Sequence, residues 1–163
     1  MGRIHAKLTT AALVFLLPFA MIGAADTHAN EYVIKYRQAI MRSVGANMSA
    51  ISVILQSRLL HQENLVEHAR QLKGASTLFE SAFQKEVLAG RTDARPEIWS
   101  DWDGFLAIAR AMGEESDRLA AVGADGDLKA IAEQIKVIAK SCGKCHRQFR
   151  KPKAESYKEL SGY

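Results

Sequence analysis

The segment Leu128–Phe149, LKAIAEQIKVIAKSCGKCHRQF, decides the fold through the spacing of its apolar side chains. They recur at steps of three or four residues, namely at Leu128, Ile131, Ile135, Ile138, Cys142, Cys145 and Phe149. This spacing aligns them along one face of an α-helix. Asp127 can cap the start of that helix, and Pro152 stops it because proline cannot continue a helix. The segment is therefore predicted to be a single amphipathic helix.

Three earlier segments carry apolar stripes with the same period, which begin at Val33, Leu65 and Phe105. No segment of the sequence shows the sustained alternation that is typical of a β-strand. Four amphipathic helices joined mostly by short turns predict an all-α fold, a four-helix bundle in up-down-up-down order. The Cys142–His146 segment then lies near the C-terminal end of the last helix.

One connection, from about Glu86 to Trp102, is much longer than the others. It contains Trp99 and Trp102, whose rings predict that the connection packs on the bundle, because bare loops of this length are uncommon. Ser100 with Asp103 three residues later resembles a capping box, which predicts that the third helix opens at this point.

The first residues have the pattern of a secretory signal peptide. Arg3 and Lys7 form a short basic start, an apolar run follows over residues 11–22, and small residues come next. The apolar run is shorter than the roughly 20 residues that a membrane span needs. We predict a cleaved export signal and a periplasmic location for the mature chain, with an uncleaved anchor helix as the alternative.

The chain is thus predicted to have three parts: a signal peptide at residues 1–25, a helical bundle at 30–152 and a C-terminal tail at 153–163. Three cleavage sites fit the signal pattern equally well, namely those after Ala24, Ala25 and Ala29.

The formal charge of +4 falls by two once the two basic residues of the signal are removed. A nearly neutral mature chain without a basic stripe argues against nucleic acid as a partner. No later segment is apolar enough for a membrane span, so we expect no membrane association after cleavage.

The two cysteines of the chain, Cys142 and Cys145, are followed directly by His146. On a helix, residues three and four apart share a face, so both thiols can reach one edge of a flat macrocycle. His146 can then turn beneath that macrocycle and bind its iron. C-x-x-C-H is the attachment signature of c-type haem, which in bacteria is attached after export. We predict one haem c, covalently attached through Cys142 and Cys145, with His146 as an axial iron ligand.

Three other uses of these cysteines compete with haem attachment. A structural zinc site needs four ligands, and the sequence has neither a second C-x-x-C nor histidines at ligand spacing. A thioredoxin-like redox pair expects a βαβ setting, which the helical pattern does not provide. A plain disulfide beside an incidental histidine remains as the simplest alternative to haem.

The other side of the iron has candidates on the first helix, where Arg37 and Met41 are four residues apart and share a face. Arg37 can pair with a haem propionate, because a guanidinium matches the geometry of a carboxylate. Met41 can place its thioether over the iron or can merely fill space, which is the commoner role of a methionine on an apolar helix face. Met48 and Met112 are open to the same interpretation.

A helical bundle with its haem motif near the C-terminus resembles the cytochrome c prime family. Three runs carry the resemblance in the expected order and spacing: Lys35–Met41 in the first helix, Ala94–Asp101 before the third helix, and Ser141–Arg150 around the haem motif. The similarity covers nearly all of the mature chain. It implies a four-helix bundle that is commonly a homodimer packed through the first two helices.

The resemblance also implies roles for individual residues. Cys142 and Cys145 would hold the haem by thioethers, and His146 would be its proximal ligand. Arg37 and Gln38 match family positions near the haem edge, and Arg150 matches a basic residue beside the proximal histidine. The resemblance thus implies six residues that contact the haem: Cys142, Cys145, His146, Arg37, Gln38 and Arg150.

Met41 falls at the distal position of the family, where low-spin members use methionine as the sixth iron ligand. High-spin members leave the iron five-coordinate beneath an apolar side chain, and some of them also carry methionine there. The stretch Val44–Met48 is more similar to low-spin relatives. In addition, Phe79–Leu88 lacks the proline-tryptophan and glycine-rich run that often precedes the long connection in high-spin members. We therefore predict Met41 as a distal ligand, with a five-coordinate iron as the alternative.

The distal ligand decides between two functions. If Met41 binds iron, the simplest function is electron transfer with redox partner proteins, because methionine opposite histidine raises the reduction potential. If the iron is five-coordinate, small uncharged gases such as nitric oxide or carbon monoxide can bind. A peroxidase-like enzyme would need polar acid–base groups on the distal side, and the face with Met41, Val44 and Met48 has none. We therefore predict that the protein is not an enzyme.

Overall fold

The computed structural model describes residues 22–57 and 62–160, which form helices joined by loops. In chain order the helical elements are α1 (Ile22–Ser57), α2 (Gln62–Thr77), α3 (Phe79–Phe83), α4 (Glu97–Ser100), α5 (Trp102–Asp125), α6 (Leu128–Phe149), a 3₁₀ turn (Lys153–Glu155) and α7 (Tyr157–Leu160). The predicted all-α fold is confirmed. Most of the predicted signal peptide, residues 1–21, lies outside the described residues.

The four long helices α1, α2, α5 and α6 form the predicted bundle. α1 packs against α2, α2 against α5, and α5 against α6. Their apolar stripes meet in one core, whose most deeply buried side chains include Ile51, Leu65, Leu72, Leu119, Ile131 and Ile138. α1 and α6 are the exception, since their described parts scarcely touch each other.

The second predicted helix is interrupted. Its stripe predicts one helix through Phe83, but α2 ends at Thr77 and α3 begins at Phe79. Near the break, the hydroxyls of Ser76 and Thr77 donate to carbonyls three residues earlier, at 2.7 and 2.8 Å. Such local bonds compete with the regular helix ladder. The break leaves Phe79 and Phe83 buried in the core.

The predicted capping box at Ser100 is wrong. α5 begins at Trp102 after Asp101, and the Asp101 carboxylate makes no capping bond. It instead accepts a hydrogen bond of 2.9 Å from Gln148 of α6. The predicted cap of α6 is correct, because Asp127 accepts bonds from the backbone amides of the second and third helical residues, at 2.9 and 3.2 Å.

The long connection is packed on the bundle, as its tryptophans predict. The Trp99 indole donates a hydrogen bond of 2.7 Å to the carbonyl of Phe83. The Trp102 ring stacks on Phe105 with centroids 5.7 Å apart. Residues 153–160 of the predicted tail are also folded, and Ser156 is buried against the connection with only 3% of its surface exposed.

The approach of α2 to α5 generates a stability prediction. A Cβ atom at Gly123 would lie 2.7 Å from Cδ2 of Leu65, which is fully buried. We expect Gly123→Ala to lower the free energy of unfolding by roughly 1–3 kcal/mol through overpacking. Denaturant titration of the haem-containing protein measures this change.

Gly74→Ala is the matched control, since a Cβ at this helical position meets nothing within 4 Å. Replacing a helical glycine by alanine there should stabilise the protein by about 0.5–1 kcal/mol. Equal effects of the two substitutions would contradict the close contact at Gly123.

Candidate haem site

α1 and α6 face each other across a cavity of about 570 Å³. This volume lies within the range of roughly 300–1,000 Å³ that is usual for small-molecule and cofactor sites. The α1 wall contributes Met41, Val44 and Met48, and the deep end of the cavity is apolar, lined by residues that include Phe79, Phe105, Ile108 and Met112. The opposite wall belongs to α6.

Cys142 and Cys145 lie on the α6 wall, one helical turn apart. Both are free thiols and half-buried. Burial raises the pKa of Cys142, and burial together with the neighbouring Cys142 raises the pKa of Cys145 to about 11. These thiols are therefore protonated at neutral pH, unlike the low-pKa thiolates of redox-active C-x-x-C motifs.

His146 follows on α6 and also lines the cavity. Partial burial and the positive charge of Arg150 lower the pKa of its imidazole. The ring is therefore neutral at neutral pH, and neutral imidazole is the form that binds metal ions. Within residues 22–57 and 62–160, no group of three or more His, Cys, Asp or Glu side chains is arranged to hold a metal ion.

Arg37 is buried, and its guanidinium ties α1 to α3 and to the start of the long connection. Its Nε donates to the Ala82 carbonyl at 2.9 Å and Nη1 to the Val87 carbonyl at 3.3 Å, while Nη2 donates to the Lys85 carbonyl. Burial lowers the pKa of Arg37 to about 10, so the group stays charged at neutral pH. Three of its five N–H groups are thus used, and the propionate contact stays a prediction.

Two aromatic rings enclose the same guanidinium. Its central carbon lies 4.9 Å from the ring centroid of Phe83 and 5.1 Å from that of Trp99. Cation–π contacts of this kind stabilise a desolvated cation. The structure therefore gives Arg37 a positioning role that the sequence did not indicate.

Gln38 and Arg150 lie at the polar end of the cavity. The Gln38 amide donates to the Arg91 carbonyl at 2.8 Å and to the Tyr157 hydroxyl at 3.2 Å. Arg150 pairs with Asp93, with Nη2 to Oδ2 at 2.9 Å. All of the predicted site residues line this one cavity: Arg37, Gln38, Met41, Cys142, Cys145, His146 and Arg150.

Four further residues line the polar end and were not predicted from the sequence, namely Thr92, Asp93, Tyr157 and Lys158. Thr92 and Asp93 form a pair that is typical of turns, which does not indicate the residues that they contact. Tyr157 and Lys158 lie in the predicted C-terminal tail. Their contacts span more than 60 residues of chain, as in the bond from the Tyr157 amide to Asp93. No short motif could have indicated them.

The cavity suits a haem in volume and chemistry. Its deep end is apolar, as an aromatic macrocycle requires, and its polar end offers donors and cations for carboxylate groups. Two thiols and a neutral imidazole stand together on one wall, which is the donor set that covalent haem attachment and iron ligation need.

A family profile described as Cytochrome C' matches residues 32–150. This span includes the α1 wall of the cavity and the whole Cys142–His146 motif. The chain belongs to the cytochrome c' family. Like other members, it carries one covalently attached haem c, and Cys142 and Cys145 are the two cysteines that the chain has for the attachment. The resemblance found in the sequence is thereby confirmed.

Individual relatives agree with the family assignment. The chain is 26% identical over 145 residues to cytochrome c' from Rhodospirillum rubrum, an alignment that covers 88% of this chain and 96% of the relative. It is also 26% identical over 152 residues to cytochrome c-556 from Agrobacterium fabrum, with 88% and 94% covered. A relative named cytochrome c' and one named cytochrome c-556 therefore match this chain at the same identity.

A solved structure of cytochrome c' from Alcaligenes xylosoxidans superposes with a TM-score of 0.67 at 27% identity. The superposition covers 76% of this chain and 97% of that one. The four-helix bundle is therefore the family fold. None of the described helices is long and apolar enough to cross a membrane.

Attachment through the two thiols can be tested directly. We expect the double variant Cys142→Ala, Cys145→Ala to lose covalent haem, because no other thiol is present to form a thioether. Acid–acetone extraction of the purified protein separates free from covalent haem. Lys144→Ala, at an exposed position between the cysteines, should keep its haem. Haem that resists extraction from the double variant would contradict this assignment.

Proposed function

We propose that the protein is a periplasmic electron carrier whose haem iron is ligated by His146 and Met41. The observation that carries this proposal is the placement of the two side chains on opposite walls of one cavity, Met41 on α1 and His146 on α6. When bound, the haem supplies a one-electron iron couple. Methionine opposite histidine favours the reduced state and raises the potential of such a couple.

The anchoring of α1 supports an electron-transfer role. Arg37 and Gln38, on the turn before Met41, hold this part of α1 through bonds to the carbonyls of Ala82, Val87 and Arg91. A methionine on a helix that is fixed in this way keeps its position when the charge of the site changes. Little rearrangement accompanies electron transfer when both axial groups stay in place.

The apolar residues of the cavity contribute by excluding water. Phe79 and Phe105 are almost fully buried at its deep end, and their rings stack with centroids 6.4 Å apart. A dry, rigid surround limits the solvent reorganisation that would slow electron transfer. The partners would be redox proteins, and the signal-like residues 1–25 favour export to the periplasm.

A second function, the binding of small gases, is favoured by the absence of polar side chains on part of the α1 wall. Val44 and Met48 offer neither a proton donor nor a charge, and such a wall admits small uncharged ligands. Solved structures of Alcaligenes xylosoxidans cytochrome c' variants include nitric oxide complexes. This function would apply if Met41 covers the iron without binding it.

The homodimer that the family resemblance implies remains part of the proposal. α1 exposes two tyrosines one helical turn apart, Tyr32 and Tyr36, of which 68% and 47% of the surface is accessible. Exposed aromatic side chains on a long helix favour contact with a second molecule.

The absorption spectrum distinguishes the two functions. We expect oxidised protein to be low-spin with a methionine-to-iron charge-transfer band, and Met41→Ala to convert it to high-spin. The matched control Met48→Ala, which removes a second thioether from the same wall, should leave the spectrum low-spin. A high-spin spectrum in the unmodified protein, with ready carbon monoxide binding on reduction, would contradict the electron-carrier proposal. A low-spin Met41→Ala variant with its charge-transfer band intact would identify a different methionine as the ligand.

A further inference from the structure

The chain turns back on itself after α6. An isolated antiparallel bridge joins Arg150 to Ala94, and the amide of Lys151 donates to the Asp93 carbonyl at 2.8 Å. The following residues form the 3₁₀ turn and α7. We call residues 151–160 the C-terminal cap, because they lie along the long connection at the polar end of the haem cavity. The cap lies beyond the family match, which ends at residue 150.

Asp93 fastens the cap to the long connection. Its carboxylate accepts bonds from the Ser156 hydroxyl and the Tyr157 amide, both at 3.0 Å, and from the Arg150 guanidinium at 2.9 Å. Burial alone would raise the pKa of Asp93, but these hydrogen bonds and the Arg150 charge outweigh burial and lower it. The carboxylate is thus ionised and fully engaged within the protein.

The cap makes little contact with the end of α6. A second cavity of about 630 Å³ opens between them, with Arg147 on the helix side and Lys153 and Glu159 on the cap side. Hydrogen bonds hold the cap in place, namely those of Ser156 and Tyr157 to Asp93 and that of Gln38 to Tyr157.

Two residues of the cap reach the haem cavity, Tyr157 and Lys158. The Tyr157 oxygen accepts the bond from Gln38, so its own O–H proton points elsewhere and can be donated. The Tyr157 ring also lies beneath the guanidinium of Arg91, at 5.8 Å. Lys158 is exposed at the cavity rim and adds a positive charge.

A haem has an apolar ring and two carboxylate groups, which need different surroundings. An ionised carboxylate is costly to bury unless cations and hydrogen-bond donors surround it. The deep end of the cavity offers aromatic and aliphatic side chains, whereas donors and cations are gathered at the end that the cap closes. The carboxylates therefore belong at the cap.

We propose that the C-terminal cap is part of the haem site, in which the Tyr157 hydroxyl and the Lys158 ammonium group bind a haem carboxylate while Asp93 holds the cap closed. This inference rests on the family's covalent haem and does not depend on whether Met41 binds the iron. Tyr157 and Lys158 act on the haem periphery and are not iron ligands.

The haem-containing variants Lys158→Gln and Tyr157→Phe test the proposal. Loss of a cation beside the haem favours the more positive ferric state, so Lys158→Gln should lower the midpoint reduction potential. Tyr157→Phe removes the hydroxyl that is the proposed donor, together with the oxygen that accepts the Gln38 bond, and should shift the carboxylate bending band in the resonance Raman spectrum. Both variants should keep the spin state of the parent protein.

Lys153→Gln is the matched control, because Lys153 lies on the same cap but does not line the haem cavity, and it pairs with Glu159 at 3.5 Å. It makes the same charge change, with an 88% exposed side chain, and should leave the potential and the Raman band unchanged. If Lys158→Gln shifts the potential no more than Lys153→Gln, or Tyr157→Phe leaves the band unmoved, the proposal is overturned.

A chain that ends at Pro152 tests the cap as a whole without depending on single substitutions. It should retain covalent haem and the iron ligation spectrum, but should show a larger shift of the carboxylate band than Tyr157→Phe. An unshifted band in this protein would also refute the proposal. A change of spin state on Met41→Ala, by contrast, bears on iron ligation alone, so the two proposals fail separately.

Discussion

The separation of α1 from α6 is the constraint on which the haem site depends. Neighbouring amphipathic helices in a bundle would normally close on each other to bury apolar surface. Here the long connection is bound to both helices. Arg37 and Gln38 attach it to α1 through the carbonyls of Val87 and Arg91, and Asp93 attaches it to Arg150 at the end of α6. Hydrogen bonds to charged groups contribute on the order of 1.5–3 kcal/mol each, so a few of them suffice to hold this arrangement.

This separation also divides the chemistry of the site. One wall presents two protonated thiols and a neutral imidazole, the other presents thioethers and aliphatic groups, and one end gathers the charged side chains. A haem, which has a flat apolar ring, two vinyl groups that can form thioethers and two carboxylates, is complementary to such a cavity. The same arrangement is compatible with an electron carrier and with a gas-binding protein, because the two functions differ in whether the Met41 thioether binds the iron.

Features that depend on local pattern could be predicted from the sequence. The helices follow from the apolar period, and the haem motif from the spacing of Cys142, Cys145 and His146, since neighbours in sequence are neighbours on a helix. Features that depend on distant partners could not. The buried contacts of Arg37 lie 45 to 50 residues away, and those of Asp93 with the cap 63 to 64 residues away. The sequence around Arg37 and around Asp93 does not indicate these partners.

A crystal structure of the haem-containing protein will show whether the cofactor lies between α1 and α6. We expect a single haem between the two helices, joined by thioethers to Cys142 and Cys145, with its carboxylates at the end lined by Gln38 and Tyr157. A structure in which α1 and α6 pack directly on each other, with the two cysteines in a disulfide and no haem between the helices, would contradict this arrangement.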